Sequence, residues 1–165
     1  MELVEIFEGS WRVEGTLRGW GIFAGKLGAA SSNAFIVSRS VHSPDSLRGS
    51  EQLAIQWLVD SAESLALAAS MAIFNEYPSI KSENEWVLDE VGPDEAEQMF
   101  PDAPDAVALA KHLSLSEVVL HDVTDGLPKL GIVFDAPWDA EHQLGVLFCG
   151  EKVLGVGDGD YACYP

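Results

Sequence analysis

The stretch from Glu51 to Tyr77 constrains the fold most, because it contains neither Gly nor Pro and is rich in Ala and Leu. Apolar side chains recur in it at the three- and four-residue spacing of one helix face, at Leu58, Ala62, Leu65, Ala69 and Ile73. Ser50 is a good helix N-cap, and Pro78 is a residue type that ends helices. We therefore predict one central helix, about 40 Å long at 1.5 Å per residue.

Short β-like runs flank this helix on both sides. Before it, apolar or alternating segments are separated by Gly and Ser turns and cover Leu3–Phe7, Trp11–Leu17, Trp20–Ala24 and Ala34–Ser38. After it, similar segments cover Glu117–Val123, Leu130–Phe134, Leu144–Cys149 and Lys152–Val156. Segregation of strands and helices along the chain is typical of the α+β class. We predict a single domain, residues 1–165, in which a mainly antiparallel sheet (an N-terminal meander plus C-terminal strands) packs against the one long central helix.

The chain is strongly acidic, with 27 Asp and Glu against 9 Lys and Arg and a formal net charge of −18. Such a field repels nucleic-acid phosphates and anionic lipid and attracts basic proteins, so we expect neither nucleic-acid nor membrane binding. Residues 1–5 lack the basic region and apolar run of a signal peptide, and no window reaches the roughly 18 apolar residues of a membrane span. We expect a cytoplasmic protein.

The acidic residues are densest between Ser82 and Asp105, a segment without Lys or Arg. Prolines interrupt it, so we expect only short helical turns there, near Asp94–Phe100 and Asp105–His112. Trp86 lies among the carboxylates, where it either packs back onto the long helix or anchors a basic partner protein. The candidate partner-binding residues are Glu83, Glu85, Trp86, Asp89, Glu90, Asp94, Glu95 and Glu97.

The densest polar cluster is Trp138-Asp139-Ala140-Glu141-His142, which we expect in a loop between two strands. Asp139, Glu141 and His142 could bind zinc, manganese or iron, or Glu141 could orient His142 as a general base. The other histidines show no ligand spacing, so we predict no metal, no cofactor and no catalytic residue. In the structural interpretation, Asp139 caps a turn, Glu141 and His142 hydrogen-bond to nearby strands, and Trp138 packs into the core.

The last residues suggest no further chemistry. The Gly-x-Gly-x-Gly run at 155–159 predicts a turn beyond the last long strand, without room for a helix before the chain reaches Pro165. Cys149 and Cys163 are too few for a disulfide scaffold or a zinc site made of cysteines. We expect two reduced thiols, with Cys149 buried.

One string of residues near the C-terminus resembles the closing motif of a family of small bacterial α+β domains of unknown function. The string is Trp138-Asp139-x-Glu141-His142-x-Leu144-Gly145-Val146, followed by a short hairpin and Gly157-Asp158. That family also has an N-terminal β-meander and a central helix. Its members are similar to proteins encoded among polymorphic-toxin and immunity loci. The resemblance implies an immunity role and transfers no catalytic residues. Gln143 stands where the family pattern has Gly after the histidine.

Together these observations favour a non-enzymatic acidic binding protein, namely an immunity protein that neutralises a basic toxin by protein–protein binding. A nuclease is one such toxin, because it must hold a polyanion and dense carboxylates can occupy that basic surface. Two alternatives stay open. One is a small metal-dependent or acid/base enzyme that uses the Asp139, Glu141 and His142 cluster. The other is a structural subunit whose apolar helix completes a homodimer.

Overall fold

The computed structural model describes residues 3–7, 10–14, 17–23, 34–38, 49–121 and 126–165. Its strands form one seven-stranded sheet in the order β1-β2-β3-β4-β5-β6-β7. The strands are β1 Leu3–Phe7, β2 Ser10–Glu14, β3 Ala34–Ser38, β4 Ser114–Leu120, β5 Lys129–Ala136, β6 Asp139–Cys149 and β7 Lys152–Asp158. Every neighbouring pair is antiparallel except β3 with β4, which run parallel through Ile36 opposite Val119 and Val37 opposite Leu120. The predicted α+β class with a mainly antiparallel sheet is confirmed.

Within the described ranges, five of the six α-helices lie between β3 and β4 in the chain, and a short one follows β7. They are α1 Gly49–Asp60, α2 Ala62–Glu83, α3 Glu85–Glu90, α4 Pro93–Met99, α5 Ala106–Ala110 and α6 Gly159–Cys163. Parallel neighbours such as β3 and β4 need a long crossover, and this helical connection supplies it. The short turns expected in the acidic segment correspond to α4 and α5, whereas α3 was not predicted.

The central helix is not one straight rod, and this corrects the prediction. It is divided into α1 and α2, whose axes meet at 71° around Ser61. The Ser64 hydroxyl donates a hydrogen bond to the Ser61 carbonyl (2.9 Å), and hydroxyl bonds of this kind often bend helices. Both arms keep the predicted apolar face buried, so the side-chain spacing was right and only the direction of the axis was missed.

Pro78 does not end the helix, which is a second correction. It lies inside α2, which continues to Glu83. A proline removes a single backbone donor, and packing on both sides of this position offsets the loss. The neighbouring Tyr77 is buried and its hydroxyl donates to the Pro101 carbonyl (2.9 Å), while the Asn84 side chain donates to the Ile80 carbonyl (2.8 Å).

The predicted strand at Trp20–Ala24 is also wrong, because residues Trp20–Ile22 form a 3-10 helix. Trp20 and Phe23 both point into the core, with ring centroids 5.7 Å apart, and Phe23 lies 4.6 Å from the ring of Phe134. A single turn of helix places both aromatic side chains on the same side. Residues 15–16, Ala24 and residues 122–123, which the strand predictions included, lie outside the described residues.

The two faces of the C-terminal sheet differ in side-chain size. On β5, Leu130, Ile132 and Phe134 belong to the hydrophobic core shared with α1 and α2. The alternate positions face α6, and there Gly131 and Gly145 leave room for the helix backbone. A Cβ on Gly131 would overlap the Ala162 carbonyl oxygen, and one on Gly145 would overlap the Asp158 carbonyl oxygen. The last residues therefore pack as a helix on a glycine-lined face, and the expectation that no helix fits before Pro165 is wrong.

Within the described ranges, no single helix is long and apolar enough to cross a membrane. Helices α1 and α2 reach that length and hydropathy only when they are counted together across their 71° bend.

Candidate functional site

The eight residues predicted to bind a partner lie on the last turn of α2, on α3 and on α4. Every one of them is exposed to solvent. Trp86 on α3 is 64% exposed, so it does not pack back onto the long helix. We call this set, Glu83, Glu85, Trp86, Asp89, Glu90, Asp94, Glu95 and Glu97, the acidic surface. It presents one large aromatic ring among seven carboxylates.

An aromatic cluster holds the acidic surface against the C-terminal motif. Trp138 is 7% exposed, and its ring centroid lies 5.1 Å from that of Tyr77 and 6.1 Å from that of Phe100. Tyr77 belongs to α2, and Phe100 directly follows α4. Burial raises the pKa of the Tyr77 phenol, and the Asp102 charge adds to this effect, so the hydroxyl stays a hydrogen-bond donor at neutral pH. Trp138 thus fixes the motif beside the ends of α2 and α4.

Asp139 organises the turn that the motif predicts. The turn is a hairpin rather than a longer loop, since β5 ends at Ala136 and β6 begins at Asp139. The Asp139 Oδ1 atom accepts backbone hydrogen bonds from Glu141 (3.2 Å) and His142 (2.9 Å), and it lies 3.2 Å from the His142 Nδ1 atom. Asp139 rather than Glu141 therefore orients the imidazole. The His142 side chain remains 69% exposed.

Gln143 has an uncommon backbone conformation for a residue with a side chain. Its φ of 61° is the only positive φ at a non-glycine position in the described part of the chain. It lies where β6 bulges away from β5, between the pairs Ala136 with Asp139 and Phe134 with Leu144. Its side-chain amide donates to Asp135 Oδ1 (2.6 Å) and to Ser116 Oγ (3.0 Å). The side chain thus ties the bulge to β4 and β5.

A cleft of about 290 Å³ lies between the C-terminal end of α2 and the strands β6 and β7. Carboxylates line both of its sides, with Glu76 and Glu83 from α2 and Asp139 and Asp158 from the sheet. Its apolar lining comes from Ile80, Trp138, Leu144 and Val156, and its described lining includes no Lys or Arg. We call it the acidic cleft. It joins the two sets of residues that the sequence singled out separately, because Glu83 also belongs to the acidic surface.

A second cavity of about 290 Å³ lies on the α6 side of the motif and contains His142, Glu117 and Cys163 among its lining residues. Burial raises the pKa of the half-buried Glu117 carboxyl. Burial, followed by the charges of Glu117 and Asp160, raises the pKa of the Cys163 thiol to about 11. The thiol is therefore protonated at neutral pH, whereas a nucleophilic or metal-binding cysteine needs the thiolate.

The residues named for the metal alternative do not assemble into a metal site. In the described ranges, no three His, Cys, Asp or Glu side chains are grouped closely enough to hold an ion. Cys149 and Cys163 are both free thiols and both half-buried, so Cys149 is less buried than predicted.

A family model for a domain of unknown function (DUF6985) matches residues 16–163 of the 165-residue chain. The chain belongs to the DUF6985 family. No curated protein and no solved structure matches it. The acidic surface, the motif turn and the acidic cleft lie within the DUF6985 match, as does the second cavity except for its lining residue Tyr164. Strands β1 and β2 precede the match.

Sequence reasoning missed two features of this DUF6985 domain. The first is the bridge that the Gln143 side chain makes to Asp135 and Ser116. The second is the cavity that brings His142 and Cys163 together, which depends on α6 folding back over β5 and β6. Nothing in the local sequence pattern indicates that packing.

Proposed function

We propose that this protein is a non-enzymatic immunity protein of the bacterial cytoplasm that neutralises a basic toxin by binding it through the acidic surface. The observation that carries the proposal is the 64% exposure of Trp86 among carboxylates that have no Lys or Arg between them in sequence. Tryptophan is highly buried on average in folded proteins, and it is enriched among the residues that dominate binding energy.

The arrangement of this surface supports recognition of a rigid basic partner. Helices α3 and α4 are short, and the Trp138 cluster holds the residues on either side of them against the sheet. A preorganised surface loses little conformational entropy on binding. Its carboxylates attract a basic surface over long range and speed association, while Trp86 supplies a contact that slows dissociation.

The gene beside this one gives a first test, since a toxin gene supports the proposal and a metabolic operon contradicts it. The binding experiment then uses the basic protein which that gene encodes. We expect the triple variant Glu85→Lys, Asp89→Lys and Glu90→Lys on α3 to slow association by about tenfold or more at low salt. Raising the ionic strength from about 0.01 M to 0.15 M should slow the wild type far more than this variant.

A matched control separates local placement from total charge. The triple variant Asp60→Lys, Glu63→Lys and Glu151→Lys changes the net charge equally at exposed positions outside the acidic surface. It should slow association much less than the α3 variant. Equal effects of the two triple variants would mean that only net charge matters and would contradict an interface on α3.

Trp86→Ala tests the anchor independently of charge. We expect it to raise the dissociation rate by about thirtyfold, the effect of losing roughly 2 kcal/mol at a central aromatic contact, with little change in association rate. Because the side chain is exposed in the free protein, the melting temperature should be unchanged. An unchanged dissociation rate would place the interface elsewhere.

A second candidate function is acid/base chemistry at the motif, favoured by the contact between Asp139 and the Nδ1 atom of His142. The protonated Cys163 thiol in the same cavity argues against nucleophilic chemistry there. His142→Asn separates the two functions in a toxin-neutralisation assay. Neutralisation by this variant at wild-type level supports binding alone, and its loss with toxin binding retained would favour the enzyme.

A further inference from the structure

The acidic cleft beside the acidic surface has the shape and chemistry of a side-chain pocket. We propose that it receives a single arginine side chain presented by the basic partner protein. This inference rests on the proposed function and names the group that the partner contributes. Ligand pockets for drug-sized molecules span about 300–1,000 Å³. The cleft, at about 290 Å³, is just below this range, which suits one long side chain.

The apolar lining suits the aliphatic part of that side chain. Ile80 lies on the α2 side of the cleft, and Leu144 and Val156 lie on the sheet side. Arginine buries its methylene stem against apolar surface while its charged group reaches polar partners. A small hydrated cation would gain nothing from these walls, so the lining favours an organic cation with a hydrocarbon stem.

Negative charge faces the cleft from opposite walls. Glu83 lies at the C-terminal end of α2, where the helix dipole is itself negative, and Asp139 and Asp158 lie across the cleft on the sheet. The planar guanidinium carries five N–H donors in a fixed fork, which can bond to carboxylates on two sides at once. A lysine ammonium is a point charge with stronger hydration and does not match this arrangement as well.

The two sheet carboxylates are held in place before any ligand binds. Asp139 Oδ1 accepts the backbone N–H groups of its own turn, and Asp158 Oδ1 accepts the backbone N–H of Tyr161 at 2.8 Å. Fixed acceptors reduce the ordering cost of binding. They also make Asp139 and Asp158 poor test positions, because their replacement would disturb the hairpin and α6.

The test titrates the full-length ¹⁵N-labelled protein with the peptide acetyl-Gly-Arg-Gly-amide and follows the tryptophan indole N–H signals by NMR. Peptides with lysine or with uncharged citrulline in place of arginine are the comparison. We expect the Trp138 signal to shift with the arginine peptide, less with lysine, and not with citrulline. Equal shifts with lysine and arginine would overturn the arginine assignment.

Glu83→Gln is the variant that tests the cleft without disturbing the fold. A carboxylate at the end of a helix is unfavourable for the helix dipole, so this change should not lower the melting temperature. We expect it to raise the Kd of the arginine peptide by about threefold, the effect of one partly exposed charge pair. The same change at Glu151, an exposed residue outside both the acidic surface and the cleft, should leave the Kd within about 1.5-fold of wild type.

The five tryptophans distinguish failure of this inference from failure of the proposed function. A shift of Trp86 with Trp138 unmoved overturns the arginine pocket and agrees with binding on the acidic surface. An unmoved Trp138 with every peptide also overturns the pocket. The proposed function is decided separately by the α3 variants and the whole partner protein.

Discussion

Replacing Gln143 tests whether its side chain holds the bulge of β6 against its unfavourable backbone. Gln143→Ala removes the hydrogen bond to the Asp135 carboxylate, which as a charged bond contributes about 1.5–3 kcal/mol, and the bond to the Ser116 hydroxyl, which contributes about 0.5–1.5 kcal/mol. Both bonds are partly buried, so we take the lower part of these ranges. The expected loss in the free energy of unfolding is about 2–3 kcal/mol.

Gln143→Gly removes the same two bonds but relieves the backbone. A left-handed φ costs an L-residue about 1–2 kcal/mol, and glycine avoids that cost. Glycine also lowers the free energy of unfolding by about 0.5–1 kcal/mol, because it loses more conformational entropy on folding than alanine does. The glycine variant should therefore be less stable than wild type and more stable than the alanine variant, by about 1 kcal/mol or less.

Urea unfolding followed by circular dichroism measures both differences, with unchanged slopes showing that the same surface is exposed. In a thermal scan, the alanine variant should melt about 5–10 °C below wild type. Gln98→Ala, at an exposed position of α4, is the control and should stay within about 0.5 kcal/mol. An unchanged free energy of unfolding for Gln143→Ala would refute the bridge, and an alanine variant more stable than the glycine variant would refute the backbone argument.

Two further predictions concern the packing of α6. Gly131→Ala should lower the free energy of unfolding by at least about 2 kcal/mol, because its Cβ would overlap the Ala162 carbonyl. The control Gly49→Ala, whose Cβ would lie in open space, should change the free energy of unfolding by less than about 1 kcal/mol. Equal effects of the two variants in urea unfolding would contradict the close approach of α6. The pKa of the Cys163 thiol is raised from 9.0 to about 11, so its rate of reaction with iodoacetamide, followed by mass spectrometry, should still increase above pH 10. The contribution of this thiol to the free energy of unfolding should be constant below pH 9 and lost as the pH rises towards 11. An alkylation rate at Cys163 that levels off by pH 9 would contradict the buried thiol.

Much of the local structure could be predicted from the sequence. Alternating apolar patterns gave β1 and β3 with their observed bounds and located the ends of the four C-terminal strands to within five residues, the largest error being the start of β6. These predictions succeed because a strand with one buried face needs apolar residues at every second position, and this requirement does not depend on the rest of the fold. The exposure of the acidic segment follows in the same way, since so many carboxylates cannot leave water without partners.

The errors occurred where a distant contact decided the conformation. The turn at Trp20 is helical because Trp20 and Phe23 both reach the core near Phe134, and α2 continues through Pro78 because packing compensates for one missing backbone bond. The bend at Ser61 could not be predicted from the spacing of apolar residues, since α1 and α2 keep the same spacing of buried residues. Helix propensities differ by less than about 1 kcal/mol between ordinary residues and cost about 3 kcal/mol at a proline, and tertiary packing exceeds them here.

The sequence by itself determined the class of the fold, the acidic surface and the identity of the motif residues, because hydrophobic spacing and charge density are properties of neighbouring residues. Only the tertiary structure decided that Trp138 joins the motif to α2 and α4, that Glu83 faces Asp139 across one cleft, and that Gly131 and Gly145 serve the approach of α6. Those relations link residues far apart in the chain. They depend on the direction of each helix and strand in space. Packing of the whole core sets that direction, and the spacing of apolar residues along the sequence does not indicate it.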